Sequence, residues 1–114
     1  MRALNACGDG FWEFDLLNGS AWFSEWFYRK LNWSSDAKRT LLDFRPILPP
    51  DEWDKLMAQF RAHLEQGVAL DVELQIEVAG PSLARWHVRG SAQRNDAGQP
   101  VYLAGSAREV SADR

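Results

Sequence analysis

The sequence predicts a single α+β domain in which an antiparallel sheet carries helices gathered on one face. Two regions, FWEFDL near the start and the segment from Leu70 onward, alternate apolar and polar residues with the two-residue period of strands. Between them, apolar residues recur at helical spacing after Pro50. The 114 residues are enough to bury one core without disulfides or metals.

The first predicted element is a hairpin rich in aromatic residues. In FWEFDL, Trp12, Phe14 and Leu16 share one face of a strand. Asn18-Gly19 predicts the turn because both residues tolerate positive φ, and SAWFS is the return strand. The rings are interpreted either as core or as the wall of a binding cavity. Core packing is favoured, because large rings supply much of the buried surface of a small domain.

A short helix is predicted next, over EWFYRKL. Ser24 suits its N-cap and Glu25 its first turn, where a carboxylate complements the helix dipole. Asn32 predicts the end of the helix, since Asn tolerates the left-handed conformation. SSDAKRTLLDF follows as a loop with a short helical turn, and the prolines of RPILPP predict a break.

The longest predicted helix begins at Pro50, because proline is favoured at the first helical position. Acidic residues in its first turn complement the dipole, and Gly67 ends it. One apolar stripe is formed by Trp53, Leu56, Met57, Phe60 and Leu64.

Three alternating segments then predict an antiparallel meander. They are LDVELQIEV, ARWHVRGSAQR and VYLAGSAREV, separated by Gly80-Pro81 and by the turn cluster NDAGQP. In the first of them the apolar row is expected to face the core.

Four segments together resemble a PAS domain: GDGFWEFDLLNG, WFSEWFYRKLNW, PPDEWDKL and RWHVRGSAQRNDAGQPVYLAGSAREVS. They fit the Trp-rich subclass, PAS fold type 3, that is common in bacterial signalling proteins. The resemblance covers nearly the whole chain. It implies a five-stranded antiparallel sheet in the order 2-1-5-4-3, with helices across one face and a cavity between sheet and helices. Residues 1–114 are then one domain, with 1–8 ending a lead-in helix and 109–114 starting a linker.

The resemblance also implies a sensory or dimerising module within a larger sensor protein. Such a module precedes a histidine kinase, a diguanylate cyclase or another output domain in the same polypeptide. We expect it to sense a small molecule in the cavity and to relay the change through the linker. The alternative is a ligand-free module for dimerisation and relay with a filled core. A homodimer in the cytoplasm is expected, within a parent protein that a membrane segment elsewhere can anchor.

Three departures from the family pattern bear on function. Leu48-Pro49 replaces the family's His-Pro before the long helix, and Asn32 replaces a glycine. The family's closing Asp-Ile-Thr is Glu109-Val110-Ser111 here, and these three residues are the candidate signal relay. The resemblance implies that Glu109 pairs with a basic group and that Ser111 starts the following helix.

Nine residues are candidates for the lining of the pocket. Strand parity and the resemblance together place seven of them on the helical face of the sheet: Trp12, Phe14, Trp86, Val88, Leu103, Gly105 and Ala107. Leu56 and Phe60 of the long helix are expected to meet them there. The small residues on this face, including Gly90, either admit bulky partners or leave a cavity. Six tryptophans favour filling, so we expect a small ligand or none.

The facing of the strand from Leu70 has two interpretations. The alternation sends Leu70, Val72, Leu74 and Ile76 inward, which we prefer. The resemblance, counted back from Gly80, instead points Glu73 and Gln75 toward the cavity as polar anchors for a ligand.

Other functions find little support in the sequence. The net charge of −3 without a basic stripe disfavours nucleic acid. No apolar run is long enough to span a membrane, and no membrane contact by this domain is expected. His63 and His87 are expected at the surface, and Cys7 lies outside the flavin-photosensor motif, so neither haem nor flavin is predicted. The lone Cys7 lacks ligand partners for a metal. Asp51, Glu52 and Asp54 are interpreted as helix-dipole partners rather than catalytic groups, so no enzyme is predicted.

Overall fold

The computed structural model describes residues 9–34, 38–78 and 83–110. One antiparallel sheet has the strand order β2-β1-β5-β4-β3, which confirms the predicted topology. Its strands are β1 (Gly10–Asp15), β2 (Ala21–Phe23), β3 (Leu70–Glu77), β4 (Leu83–Arg94) and β5 (Pro100–Val110). The helical segments are α1 (Glu25–Leu31), a 3-10 helix (Leu41–Ile47) and α2 (Pro50–Gln66). The predicted lead-in segment 1–8, the Gly80-Pro81 turn and Ser111 lie outside the described residues.

The first hairpin forms, but its loop is longer than predicted. The backbone N–H of Asp15 donates to the Ser20 carbonyl at 2.9 Å, and Gly19 alone of the Asn-Gly pair has positive φ, at +80°. The Asp15 carboxylate accepts the N–H groups of Leu17 and Asn18, which stabilises a four-residue loop in place of a two-residue one. The prediction was therefore wrong for the φ of Asn18. It was also wrong for Leu16, which lies in the loop and is exposed.

Helix α1 has the predicted bounds, and Asn32 ends it in the left-handed conformation at φ +56°. Ser24 precedes the helix, but its side chain does not cap it. The Oγ of Ser24 instead accepts the backbone N–H of Phe11 at 2.9 Å, and the Ser24 N–H donates to the Phe11 carbonyl. Ser24 therefore fastens the start of α1 to β1.

The short helical turn continues further than the prolines suggested. Thr40 and Asp43 form a reciprocal capping box, and the 3-10 helix runs through Pro46 to Ile47. Proline's fixed φ near −65° matches 3-10 geometry, so Pro46 is accommodated. The predicted break at RPILPP was placed too early, since the helix ends only at Ile47, with Leu48 as its C-cap.

Helix α2 confirms the predicted start at Pro50 and end at Gly67, which has φ +74°. Trp53 and Leu56 are buried in its apolar stripe. The Oε1 of Glu52 accepts the backbone N–H of Gln75 at 3.0 Å, so α2 covers part of the β3 edge.

Strand β3 follows the alternation rather than the family register. Leu70, Val72, Leu74 and Ile76 are buried, and the residues between them are exposed. The interpretation of Glu73 and Gln75 as cavity anchors is therefore wrong. The burial of four aliphatic side chains decides which face of β3 points inward, because a one-residue shift in register would expose all of them.

Candidate ligand cavity and relay contact

A small cavity of about 40 Å³ lies between the inner face of the sheet and the helices. Seven of the nine predicted residues line it: Trp12, Phe14, Leu56, Phe60, Trp86, Val88 and Ala107. The remaining wall comes from Phe23, Phe27, Leu41, Phe44, Leu74 and Ile76. The strands supply residues of one parity, which is why alternation located most of the sheet side of the wall. Whether the cavity binds a ligand stays a prediction.

Leu103 and Gly105 were predicted to line the cavity and do not. Leu103 is packed in the core at 2% exposure. Gly105 lies beneath the indole of Trp12, where an added Cβ would be 2.6 Å from ring atom Cζ2. Gly90, its partner in the sheet, is equally close to the Cη2 atom of the same ring. These small residues therefore admit Trp12 and do not enlarge the cavity.

Aromatic rings in tilted and edge-to-face contact form much of the core. The rings of Trp26 and Trp86 have centroids 4.8 Å apart, and Phe27 lies 5.8 Å from Trp86. Trp12 and Phe14 are 5.2 Å apart on β1. The aromatic residues of the opening hairpin thus belong mainly to the core, with their edges forming the cavity wall.

Glu109 contacts a basic group, as the resemblance implied. Its Oε1 lies 2.7 Å from the Nζ of Lys30 on α1, and both side chains are more than a third exposed. Glu109 is paired in register with Trp86, and Lys30 lies 5.8 Å from the centroid of the Trp26 ring. Val110 is the last residue of β5. The ion pair therefore joins the helical layer to the strand end from which the chain continues.

Both histidines have partners within the protein. The Nδ1 of His63 lies 2.7 Å from the Val68 carbonyl oxygen, and its Nε2 accepts the Ala92 N–H at 3.1 Å. With both nitrogens engaged, His63 is not poised as a haem ligand. On the outer face, the Nε2 of His87 contacts the carboxylate of Asp71. This hydrogen bond lowers the pKa of Asp71 below its ordinary value.

The described residues contain no group of three or more His, Cys, Asp or Glu side chains that could hold a metal ion. Their helices include none with the length and apolar character needed to cross a membrane.

Known protein structures resemble this fold closely, although no family model and no curated protein matches the chain. A sensory box histidine kinase/response regulator from Burkholderia thailandensis has a TM-score of 0.78 at 23% identity, over 96% of this chain and 82% of that one. The N-terminal domain of a diguanylate cyclase with a PAS/PAC sensor, from Marinobacter aquaeolei, has a TM-score of 0.76 at 13% identity, over 89% and 94%. This chain has the PAS fold. The strand order and the helical layer both agree with these structures.

A light-oxygen-voltage domain studied with a flavin analogue is also similar to this chain, with a TM-score of 0.73 at 22% identity over 98% of this chain and 84% of that one. The residues lining the present cavity do not fit a flavin. About 40 Å³ holds only a few atoms, and the lining contains no amide or charged side chain to pair with a polar ring edge.

Proposed function

We propose that this PAS domain is a regulatory module of a bacterial signalling protein. It senses a small molecule in the cavity between sheet and helices and relays the change through the residues that follow β5. The output domain is a histidine kinase or a cyclic-di-GMP enzyme in the same polypeptide, and the domain itself performs no catalysis. The likeness of its fold to sensor domains of a histidine kinase and a diguanylate cyclase supports the proposal.

The contact between Lys30 and Glu109 carries the proposal. Trp26 and Lys30 belong to the same helix, and the ring of Trp26 packs on Trp86 in the cavity wall. A ligand that displaces Trp86 therefore moves α1, and α1 moves the cation that holds Glu109. The chain leaves the sheet one residue beyond Glu109.

The energetics of this pair suit a switch. A ligand shifts an equilibrium only by binding the two states with different affinity. A partly exposed ion pair contributes about 0.2–1 kcal/mol to stability, so its loss leaves the fold intact. A change of the same size in the free-energy difference between two output states is measurable as a change in output activity.

The test is Glu109→Ala in the full-length signalling protein. We expect output activity to change by up to about fivefold, the equivalent of about 1 kcal/mol, and to stop responding to conditions that regulate the wild type. The unfolding free energy of the isolated domain should fall by no more than about 1 kcal/mol.

Glu25→Ala is the matched control for this experiment. It removes a 3.4 Å ion pair with Arg29 on the same helix, which does not reach β5. Wild-type regulation in the Glu109→Ala protein would refute the relay, and equal effects of the two substitutions would assign the change to helix α1 alone.

A second candidate function is a ligand-free module for dimerisation and relay. The size of the cavity favours it, because about 40 Å³ is far below the roughly 300–1,000 Å³ of sites for drug-sized ligands. Native mass spectrometry separates the candidates: a co-purifying mass that leaves on denaturation supports sensing, and a bare chain supports relay alone.

Both candidate functions include the pairing of two copies of the domain, for which light scattering should give about twice the monomer mass at high concentration. A monomer at every concentration would contradict that pairing.

A further inference from the structure

The surface of the cavity between sheet and helices is wholly apolar. Thirteen described residues line it, of which seven carry aromatic rings and six are aliphatic. The only polar side-chain atoms among them are the indole nitrogens of Trp12 and Trp86, and the cavity surface includes neither atom. That of Trp12 donates instead to the Ser106 carbonyl at 3.2 Å. A ligand in this cavity therefore finds no hydrogen-bond partner among the described residues.

This wall selects against polar occupants. A buried water typically makes about three hydrogen bonds, whereas an apolar cavity stays dry and can bind apolar molecules. An ion or a polar compound is disfavoured for the same reason, because its burial without a partner costs free energy. The cavity thus suits an uncharged molecule that needs no hydrogen bond.

The volume limits the size of such a molecule. One water needs about 10–15 Å³ of cavity volume, so about 40 Å³ admits a molecule of roughly two to four non-hydrogen atoms. Three lining residues, Phe14, Leu41 and Phe60, are only partly buried. The cavity therefore lies close to the surface on that side, which shortens the path of a ligand from solvent.

We propose that the cavity binds a small hydrocarbon-like molecule of up to about four non-hydrogen atoms, without charge and without a hydrogen-bonding group. This inference rests on the proposed sensory function and names its ligand class. Such a molecule lies between residues of both layers, since Phe27 of α1 and Trp86 of β4 both line the cavity. Trp86 also packs on Trp26, so a ligand here acts on α1.

The experiment is a titration of the 114-residue chain with 2-methylpropene, supplied from the gas phase and followed by methyl signals in 1H–13C NMR spectra. The loss of two signals in Val88→Ile identifies the Val88 methyl groups. We expect these signals to shift and saturate, with a Kd of about 0.05–10 mM, because so small a ligand makes few contacts. Nuclear Overhauser cross-peaks from the ligand protons to Val88 and Phe27 should locate it in the cavity.

Acetone is the matched control ligand. It has nearly the same shape as 2-methylpropene, but its carbonyl oxygen would be buried without a donor. We therefore expect acetone to bind at least about tenfold more weakly.

Matched pairs of variants test the location. Val88→Ile adds one methylene inside the cavity, and Val72→Ile adds it to the directly paired residue on β3, which does not line the cavity. We expect Val88→Ile to weaken 2-methylpropene binding by about tenfold or more, and Val72→Ile to bind like the wild type. Ala107→Val and Ala84→Val form a second pair of the same design, because both alanines are buried and only Ala107 lines the cavity.

Three results would overturn the proposal. They are no saturable shift with 2-methylpropene, acetone binding that is equally tight, or equal weakening by both members of a variant pair. Ligand cross-peaks only to residues outside the cavity wall would also overturn it. If 2-methylpropene fails while Glu109→Ala still changes output, the ligand class is wrong and the proposed function stands. If 2-methylpropene binds and Glu109→Ala is silent, the site stands and the relay is wrong.

Discussion

Trp12 lies across the sheet over two paired glycines, Gly90 and Gly105. A Cβ at Gly105 would enter the van der Waals radius of the Arg89 carbonyl oxygen and lie 2.6 Å from the Trp12 ring. Backbone cannot move aside as a flexible side chain can. The glycines therefore fix where the largest ring of β1 packs.

We predict that Gly105→Ala lowers the unfolding free energy by about 3 kcal/mol or more, through overpacking against backbone. Urea denaturation measures this. Gly67→Ala is the control, because its site has positive φ but open space around the Cβ and should cost only about 1 kcal/mol. Similar losses in the two variants would contradict the packing argument.

We expect Asp71 to contribute to the acid stability of the domain. Its pKa is lowered chiefly by the hydrogen bond from His87, so its contribution is present above the unfolded-state pKa and is lost as pH falls through the lower folded-state value. Asp71→Asn should therefore flatten the decline of unfolding free energy below about pH 4.

Asp96→Asn is the control, since Asp96 is exposed in the turn between β4 and β5 and lies at no helix terminus. Denaturation curves between pH 6 and pH 2 supply the comparison. If the unfolding free energy of Asp71→Asn falls at low pH as steeply as that of the wild type, the role of the His87 contact is contradicted.

Alternation predicted which face most residues occupy, and it could not predict where a ring points on that face. The positions of Trp12 and Trp86 were both assigned inward from the sequence. That the indole of Trp12 covers Gly105, and that the Trp86 N–H finds no acceptor among the described residues, depend on side-chain packing across strands distant in sequence.

At the scale of elements, Ser24 joins β1 to α1 through hydrogen bonds to Phe11 at two atoms. Ser24→Ala removes the side-chain acceptor and leaves a partly buried N–H unpaired. We expect a loss of about 1–2 kcal/mol in unfolding free energy.

Ser91→Ala, on the exposed surface of β4, is the matched control for this prediction and should change stability by less than about 0.5 kcal/mol. If thermal denaturation gives equal losses for the two serines, the junction is not the source of the effect.

Elements with local end signals were predicted well. Asn32 and Gly67 end α1 and α2 in left-handed conformations, where a bulkier residue would be strained. The errors occurred where a non-local or competing contact decides: Ser24 binds β1 rather than its own helix, and Asp15 reshapes the first loop. Pro46 was misjudged because proline terminates an α-helix but fits a 3-10 turn.

At the scale of the whole molecule, contacts connect the cavity through α1 to the end of β5. The cavity contacts Trp86, Trp86 contacts Trp26, and Lys30 on the same helix holds Glu109 near the end of β5. Sequence reasoning anticipated a basic partner for Glu109, but only the fold identifies it as Lys30, 79 residues away along the chain. The path links the candidate sensing site to the exit of the chain.

The most direct test of this account is reciprocal charge reversal in the full-length protein that the proposed function implies, with output activity as the measurement. Lys30→Glu and Glu109→Lys should each change activity by at least about fivefold, because each places like charges together. The double variant restores an opposite pair, and the account predicts that it returns regulated activity to within about twofold of the wild type. Single variants with normal regulation, or a double variant no better than the singles, would contradict the claim that this contact carries the signal.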